Sequence, residues 1–122
     1  MKNKSFDFFR GNSEHLSIYN ELISRLNSFP KLIIKTRKSY DKMVVFCKRK
    51  NFAYISLLNE HGLFIDNGFK IIFSAPQRIC DARIVVITEP HPRRFSHHVI
   101  VQTVDDIDDQ LIGWLKLSCD NA

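Results

Sequence analysis

The fold class is decided by the stretch Met43-Val44-Val45-Phe46-Cys47-Lys48-Arg49-Lys50-Asn51-Phe52-Ala53-Tyr54-Ile55-Ser56-Leu57. Two short runs rich in β-branched and aromatic residues flank a polar segment, a pattern that is typical of two strands joined by a hairpin turn. The turn, residues 48–51, carries three consecutive cations. We therefore predict an antiparallel pair of strands with a strongly basic tip.

The segment before this hairpin has a helical period instead. Apolar side chains recur there at three- and four-residue steps, Asn12 or Ser13 can cap the helix, and Pro30 ends it. The pattern predicts a helix over 13–28. The run Leu32-Ile33-Ile34 then predicts a first strand.

The segment after the hairpin contains further strand patterns. Asn67-Gly68 predicts a type I′ turn between strands at 63–65 and 69–73, because both central positions of that turn need positive φ. Two more apolar runs, 84–87 and 98–101, predict strands as well.

A stiff, basic loop, residues 89–94, is predicted between these last two strands, and a closing helix follows it. The helix is expected to begin at Thr103 or Asp105 with four Asp in its first turn, where they suit the positive end of the helix dipole. One face of the helix carries Ile107, Leu111, Trp114, Leu115 and Ser118. The predicted fold is α+β: an N-terminal helix, a mostly antiparallel sheet of five or six strands, and a C-terminal helix packed on the sheet.

Length and composition indicate a single domain over residues 1–122. Hydrophobic residues make up 44% of the chain and charged residues 25%, close to the globular average, so disordered, collagen-like and coiled-coil classes are disfavoured. A chain of this length supports one hydrophobic core.

The charge is distributed unevenly along the chain. Lys and Arg number 18 against 13 Asp and Glu, a net +5. Residues 1–100 hold 17 basic and 8 acidic side chains, a net +9, whereas residues 101–122 hold one basic and five acidic side chains, a net −4. The segment 31–50, with eight basic residues and one acid, is the first candidate for an anionic partner.

The three cysteines Cys47, Cys80 and Cys119 show neither C-x-x-C spacing nor histidines at zinc-finger spacing. We expect all three to be reduced and buried as small hydrophobes. Reduced thiols favour a cytoplasmic location. The polar N-terminus and the lack of an 18-residue apolar run favour a soluble protein without a membrane partner.

The common templates of enzyme sites are missing. The chain contains no G-x-G-x-x-G, G-x-x-x-x-G-K-[ST], G-x-S-x-G or H-E-x-x-H motif. Asp105, Asp108 and Asp109 have a spacing that can share a metal, but helix initiation explains them better. We therefore expect no metal and no cofactor.

Arg83 and the pair His97-His98 are the residues most able to carry chemistry. Strand alternation sends the two histidines to opposite faces, with His97 toward the core and His98 outward. His97 is then either a buried imidazole with a hydrogen-bonded neighbour or a pocket residue. Arg83 either pairs with an acid such as Asp81 or Glu89 or holds an anionic ligand.

The hairpin tip Lys48-Arg49-Lys50 has two interpretations. Together with Phe52 and Tyr54 it has the composition of a platform for single-stranded nucleic acid, with cations for the backbone and aromatic rings for the bases. Lysines at hairpin tips also keep a sheet soluble and unpaired. Arg93 and Arg94 are candidates for the same basic face.

A pattern of an arginine, a double histidine and an acidic helix start runs through the second half of the chain. It comprises Arg83, Pro92-Arg93, His97-His98-Val99, Thr103-Val104-Asp105-Asp106-Ile107-Asp108, Leu111 and Trp114-Leu115. This pattern resembles the bacterial family catalogued as domain of unknown function 5655, and the resemblance extends over about residues 11–119. The resemblance implies a compact α+β accessory domain and no established activity, and it marks Arg83, His97 and His98 as family-like positions.

Three functional hypotheses follow from the sequence. The first is a non-enzymatic binding or accessory module for an anionic ligand, nucleic acid first, contacted by Lys48, Arg49, Lys50, Arg93 and Arg94. The second is a small enzyme that acts on a phosphate- or carboxylate-bearing substrate, with Arg83 as anion clamp and His97 or His98 as general acid/base. The third is a protein-interaction subunit in which exposed Phe6, Phe8 and Phe9 form part of a homo- or hetero-oligomer contact.

Overall fold

The fold is that of a computed structural model, which describes residue 9 and residues 13–36, 42–48, 50–59 and 61–122. The class is α+β, as predicted. Along the chain, an N-terminal helix is followed by an antiparallel sheet and then by a C-terminal helix. The elements are α1 (Ser13–Leu26), β1 (Ile33–Thr36), β2 (Lys42–Cys47), β3 (Asn51–Ser56), β4 (Phe69–Ala75), β5 (Ile84–His91), β6 (Arg94–Val101) and α2 (Asp109–Asp120).

The strands form one sheet in the order β1-β2-β3-β4-β6-β5, and all neighbours are antiparallel. Because β6 lies between β4 and β5, these two strands run parallel, and the segment 76–83 crosses from one end of the sheet to the other. The β2–β3 turn, the end of β4 and the β5–β6 turn therefore meet at the same end of the sheet.

The core lies between the two helices and one face of the sheet. Leu22 and Leu26 of α1 and Leu111 and Leu115 of α2 are each 0% exposed, and full burial of one such side chain stabilises the fold by about 1.5–3 kcal/mol. The helices are also joined at the surface, where Arg25 Nη1 lies 2.8 Å from Asp109 Oδ1. Both helices therefore cover the same face of the sheet.

The first helix and the first hairpin agree closely with the sequence pattern. α1 begins at Ser13 and ends two residues before the predicted boundary, where the Phe29 N–H bonds the Leu26 carbonyl at 2.9 Å. β2 and β3 pair across the basic turn, as predicted. Arg49 in that turn lies outside the described residues.

The predicted hairpin around Asn67-Gly68 is wrong. Residues 63–65 do not pair with β4; Phe64 forms a single bridge to Leu58, and β4 pairs with β3 and β6. Gly68 does have positive φ, at +93°. A Cβ there would lie 2.9 Å from the Gln102 Cα and would overlap the Val101 carbonyl, so the glycine serves close backbone packing as well as the bend.

The predicted loop over 89–94 is a tight hairpin instead. β5 continues to His91, β6 starts at Arg94, and these two residues pair. Pro92 and Arg93 form the turn, in which Arg93 has φ +62°. A proline followed by a residue with positive φ is the pattern of a type II turn, whose third position favours glycine. Arg93 therefore sits in a backbone conformation that L side chains rarely adopt.

The closing helix begins later than predicted. A 3-10 turn spans Val104–Asp106, and α2 follows at Asp109. Asp108 is the N-cap, since its carboxylate accepts the Leu111 N–H at 3.0 Å. The acidic cluster thus serves two successive helix starts, because the Asp106 carboxylate accepts the N–H groups of Gln102 and Thr103.

The prediction that all three cysteines are buried is confirmed for Cys119 and wrong for Cys80. Cys119 is buried as expected, and burial raises the pKa of its thiol, but Cys80 is exposed because it lies in the crossover segment rather than in a strand. The side chain of Cys47 lies outside the described residues. No helix of the described chain is long and apolar enough to span a membrane.

Candidate anion-binding site

Arg83 is bound to the protein itself. Its Nη1 lies 2.8 and 3.0 Å from the two carboxylate oxygens of Asp108, and its Nη2 donates to the Asp106 carbonyl at 2.7 Å. Neither acid suggested by the sequence is the partner. Asp81 accepts the backbone N–H of Arg83, and Glu89 accepts that of Arg93. The arginine therefore ties the crossover segment to the start of α2.

His97 is fully buried, as its inward position predicted, and has a backbone partner. Its Nε2 accepts the Ile79 N–H at 3.0 Å, and its ring stacks on Phe73 with centroids 5.0 Å apart. Burial lowers the pKa of His97, and the carbonyls of Phe73 and Phe95 oppose only part of that shift. A neutral imidazole with an occupied Nε2 holds the crossover segment against the sheet.

Trp114 connects the two residues. Its ring also stacks on Phe73, with centroids 5.9 Å apart, and the Arg83 guanidinium lies 5.8 Å from its ring centroid. Three residues of the pattern that carries the family resemblance, Arg83, His97 and Trp114, thus meet in one packed cluster around α2. The enzymatic hypothesis needed Arg83 and a histidine to be available in a pocket, and these contacts occupy both Arg83 and His97.

His98 lies on the opposite face of the sheet from His97. It pairs with Ile72 of β4 and Val86 of β5, and it is half-buried there. Alternation along β6 therefore separates the two histidines, as predicted, so they do not share one site.

Four of the predicted basic residues meet at one end of the sheet, which we call the basic end: Lys48, Lys50, Arg93 and Arg94. The first two flank the β2–β3 turn, where the Lys48 N–H donates to the Lys50 carbonyl at 3.3 Å. The other two belong to the β5–β6 turn. The two turns are linked, since Arg94 Nη2 reaches the Asn51 carbonyl at 3.4 Å.

The last turn of α2 borders the basic end as well. Ser118 donates its hydroxyl to the Phe52 carbonyl at 3.0 Å, and the charge of Lys48 opposes the burial that raises the pKa of Cys119. The last carbonyls of α2 are occupied, because Asn121 donates both its backbone N–H and its Nδ2 to Leu117. The carbonyls at this end of the helix therefore have hydrogen-bond partners within the chain.

Two further cations lie at the same end, and sequence reasoning missed one of them, Arg78. Arg78 follows β4 and places its guanidinium 5.0 Å from the Phe95 ring centroid. Lys31 precedes β1 and has φ +58°. Lys31 belongs to the basic stretch 31–50, but Arg78 is far from it in sequence, and only the strand order brings it to this end.

The aromatic half of the predicted platform is wrong for Phe52. This side chain is 2% exposed and packs near Phe46, with ring centroids 6.5 Å apart. A buried ring offers no face to a nucleobase. Of the two aromatic residues predicted for the platform, only the half-buried Tyr54 is not fully buried.

A cavity of about 260 Å³ opens at the basic end, between the β5–β6 turn, the end of β4 and the last turn of α2. Its lining consists of Ser74, Ala75, Pro76, Pro92, Arg93, Arg94, Ser118 and Asn121. The lining includes two arginines and no acidic residue. Of the residues that the structure describes, none accepts a hydrogen bond from the Arg93 side chain, and Arg94 makes only the long contact to Asn51. Most of their donors are available to an anion.

Comparisons with known proteins found no relative of this chain. No family model matches the chain, and neither a curated protein nor a solved structure is significantly similar to it. The resemblance to domain of unknown function 5655 therefore stays a prediction.

Proposed function

We propose that this protein is a non-enzymatic binding module for an anionic ligand, with single-stranded nucleic acid as the first candidate, and that the basic end is its contact surface. The proposal includes the sequence-based expectations of a cytoplasmic location and a bacterial accessory role. Its central support is the convergence of Lys48, Lys50, Arg93 and Arg94 from two turns that are separated by more than forty residues of sequence.

Electrostatics supports this reading of the basic end. Of two nearby carboxylates, Asp120 pairs with Lys116 at 3.4 Å, and Glu89 accepts the Arg93 N–H at 3.2 Å. Cations on two linked turns attract a polyanion and bind its phosphates with little dependence on sequence.

The two other hypotheses receive no such support. The contacts of Arg83 with Asp108 and of His97 with Ile79 engage two of the groups that the enzymatic hypothesis needs, and His98 lies on the opposite face of the sheet from His97. The interaction hypothesis relied on exposed phenylalanines, but Phe9 is 3% exposed and packs on Phe69, with centroids 5.1 Å apart. Phe6 and Phe8 lie outside the described residues.

A salt series with a short, labelled single-stranded oligonucleotide tests the proposal by fluorescence anisotropy. Four phosphate contacts give a slope of about −2.8 in log K against log salt, and therefore a roughly 50-fold loss of affinity between about 50 and 200 mM salt. The absence of binding at low salt would end the proposal.

Charge-neutral variants localise the surface. We expect Lys48→Gln combined with Lys50→Gln to flatten the salt slope by about 1.4, because two of the four contacts are removed. Lys116→Gln is the matched control, since its ammonium already pairs with Asp120 on α2. Equal effects of both changes would move the contact surface away from the basic end.

A further inference from the structure

The cavity at the basic end suits a narrower range of anions than the surface around it. Two of its lining residues are the arginines of the β5–β6 turn, and Ser74 adds a hydroxyl from the end of β4. Pro76 and Pro92 form rigid walls that carry no N–H group. At about 260 Å³ it is smaller than the roughly 300–1,000 Å³ of pockets that enclose a drug-sized ligand. A compact anionic group fits better than a whole nucleotide.

The charge of the lining favours a dianion. A phosphate monoester carries about −1.5 to −2 charges at neutral pH and has three strong acceptor oxygens. A phosphodiester within a strand carries one charge and has two such oxygens. Two arginines in a lining that includes no acidic residue therefore match the monoester, because each guanidinium can donate to a different oxygen in a charge-assisted hydrogen bond.

The backbone at Arg93 is a second observation at this cavity. The turn position with φ +62° is one that glycine would occupy at lower free energy. Strained residues persist where the surrounding structure fixes them, and they cluster at sites that bind ligands. Here the strained residue is one of the two arginines that line the cavity.

From the cavity, its charge and this turn we infer that the pocket between the β5–β6 turn and the last turn of α2 binds a terminal phosphate monoester of a nucleic-acid strand. This inference rests on the proposed function and deepens it. The strand beyond the terminal phosphate would follow Lys48 and Lys50 along the basic end.

The test compares one oligonucleotide with a 5′-phosphate, a 3′-phosphate or hydroxyls at both ends, in anisotropy titrations at low salt. We expect a phosphorylated end to bind about tenfold more tightly than the hydroxyl form, which corresponds to one added charge-assisted hydrogen bond. A nucleoside monophosphate is the competitor that distinguishes a terminal phosphate from a free phosphomonoester. It is expected to remove the preference only at far higher concentration than the oligonucleotide.

Two glycine variants give a matched control. Arg93→Gly removes the guanidinium and relieves the backbone strain, so we expect a folded protein that no longer prefers the phosphorylated end. Lys31→Gly removes a cation at a position that also has positive φ, but outside the cavity lining, and we expect it to keep the preference.

Each result has one meaning. Equal affinity for phosphorylated and unphosphorylated ends overturns the inference and leaves the proposed function standing. Binding of neither oligonucleotide overturns both. Displacement by the nucleoside monophosphate at equal concentration overturns the nucleic-acid part and identifies a small phosphomonoester as the ligand. Loss of the preference in Lys31→Gly as well would show that overall charge, not the cavity, produces it.

Discussion

The buried side chain of His97 accepts a backbone hydrogen bond that a helix or strand would otherwise accept. The crossover segment 76–83 contains no helix or strand, so its backbone groups need partners elsewhere. The imidazole supplies an acceptor for the Ile79 N–H at 3.0 Å while its ring continues the stack with Phe73. The sequence predicted the inward direction of His97 from the alternation of β6, but not its partner, because the segment that provides the N–H is not periodic.

The hydrogen bond of His97 can be tested apart from its packing. His97→Phe keeps a ring on Phe73 and removes the acceptor of the part-buried Ile79 N–H, so we expect a loss of about 1 kcal/mol in the free energy of unfolding. His91→Phe changes an exposed histidine of β5 and is expected to stay within about 0.5 kcal/mol of the parent. Urea denaturation measures both. A His97→Phe variant as stable as the parent would contradict the role of this hydrogen bond.

At the scale of elements, α2 is held to the crossover segment by Arg83 and Asp108. The same Asp108 carboxylate accepts the Leu111 N–H as the helix N-cap and receives the guanidinium. Burial alone would raise the pKa of Asp108, but the hydrogen bonds from Leu111 and Arg83 outweigh it and lower that pKa. Sequence reasoning assigned Asp108 to helix initiation only, because its partner lies 25 residues away.

Two substitutions separate these roles of Asp108. Asp108→Asn keeps a good capping residue and removes the ion pair, so we expect a loss of about 0.5–1 kcal/mol, in keeping with a pair that is partly exposed. Asp108→Ala also removes the cap and is expected to cost about 1 kcal/mol more. In an Arg83→Met background the Asn substitution should lose most of its effect, as a double-mutant cycle by urea denaturation would reveal. Additive losses would mean that the two side chains are not coupled.

The strand order marks the limit of what the sequence could predict. Local patterns suffice for α1, for the β2–β3 hairpin and for the class of the fold, because each depends on periodicity or turn chemistry over a few residues. The insertion of β6 between β4 and β5 depends on long-range pairing. For the same reason, the local pattern wrongly predicted that Gly68 joins residues 63–65 and β4 in a hairpin. The charge pattern could suggest that Arg93 and Lys48 share a face, but only the strand order brings their two turns together.

At the scale of the whole molecule, two buried histidines each accept a backbone N–H from a segment that is distant in sequence. His15 of α1 accepts the Gly68 N–H at 2.9 Å beside the start of β4, and His97 accepts the Ile79 N–H. Both acceptors are Nε2 atoms, so protonation there would break the bond. Burial lowers the pKa of each imidazole below the ordinary 6.5, against a smaller opposing effect of Glu14 on His15, while Arg78 adds to the lowering at His97.

The sign of the resulting pH dependence follows from these lowered pKa values. Below pH 6.5 the unfolded chain takes up protons on both histidines before the folded chain does, so the free energy of unfolding is complete above pH 6.5 and declines as the pH falls through the folded-state values. The decline is at most about 1.4 kcal/mol per histidine for each pH unit. Urea denaturation at pH 7.5 and pH 5.5 measures it. In His97→Phe the decline should shrink by the share of one histidine, and a pH-independent parent protein would contradict the neutral state of both imidazoles.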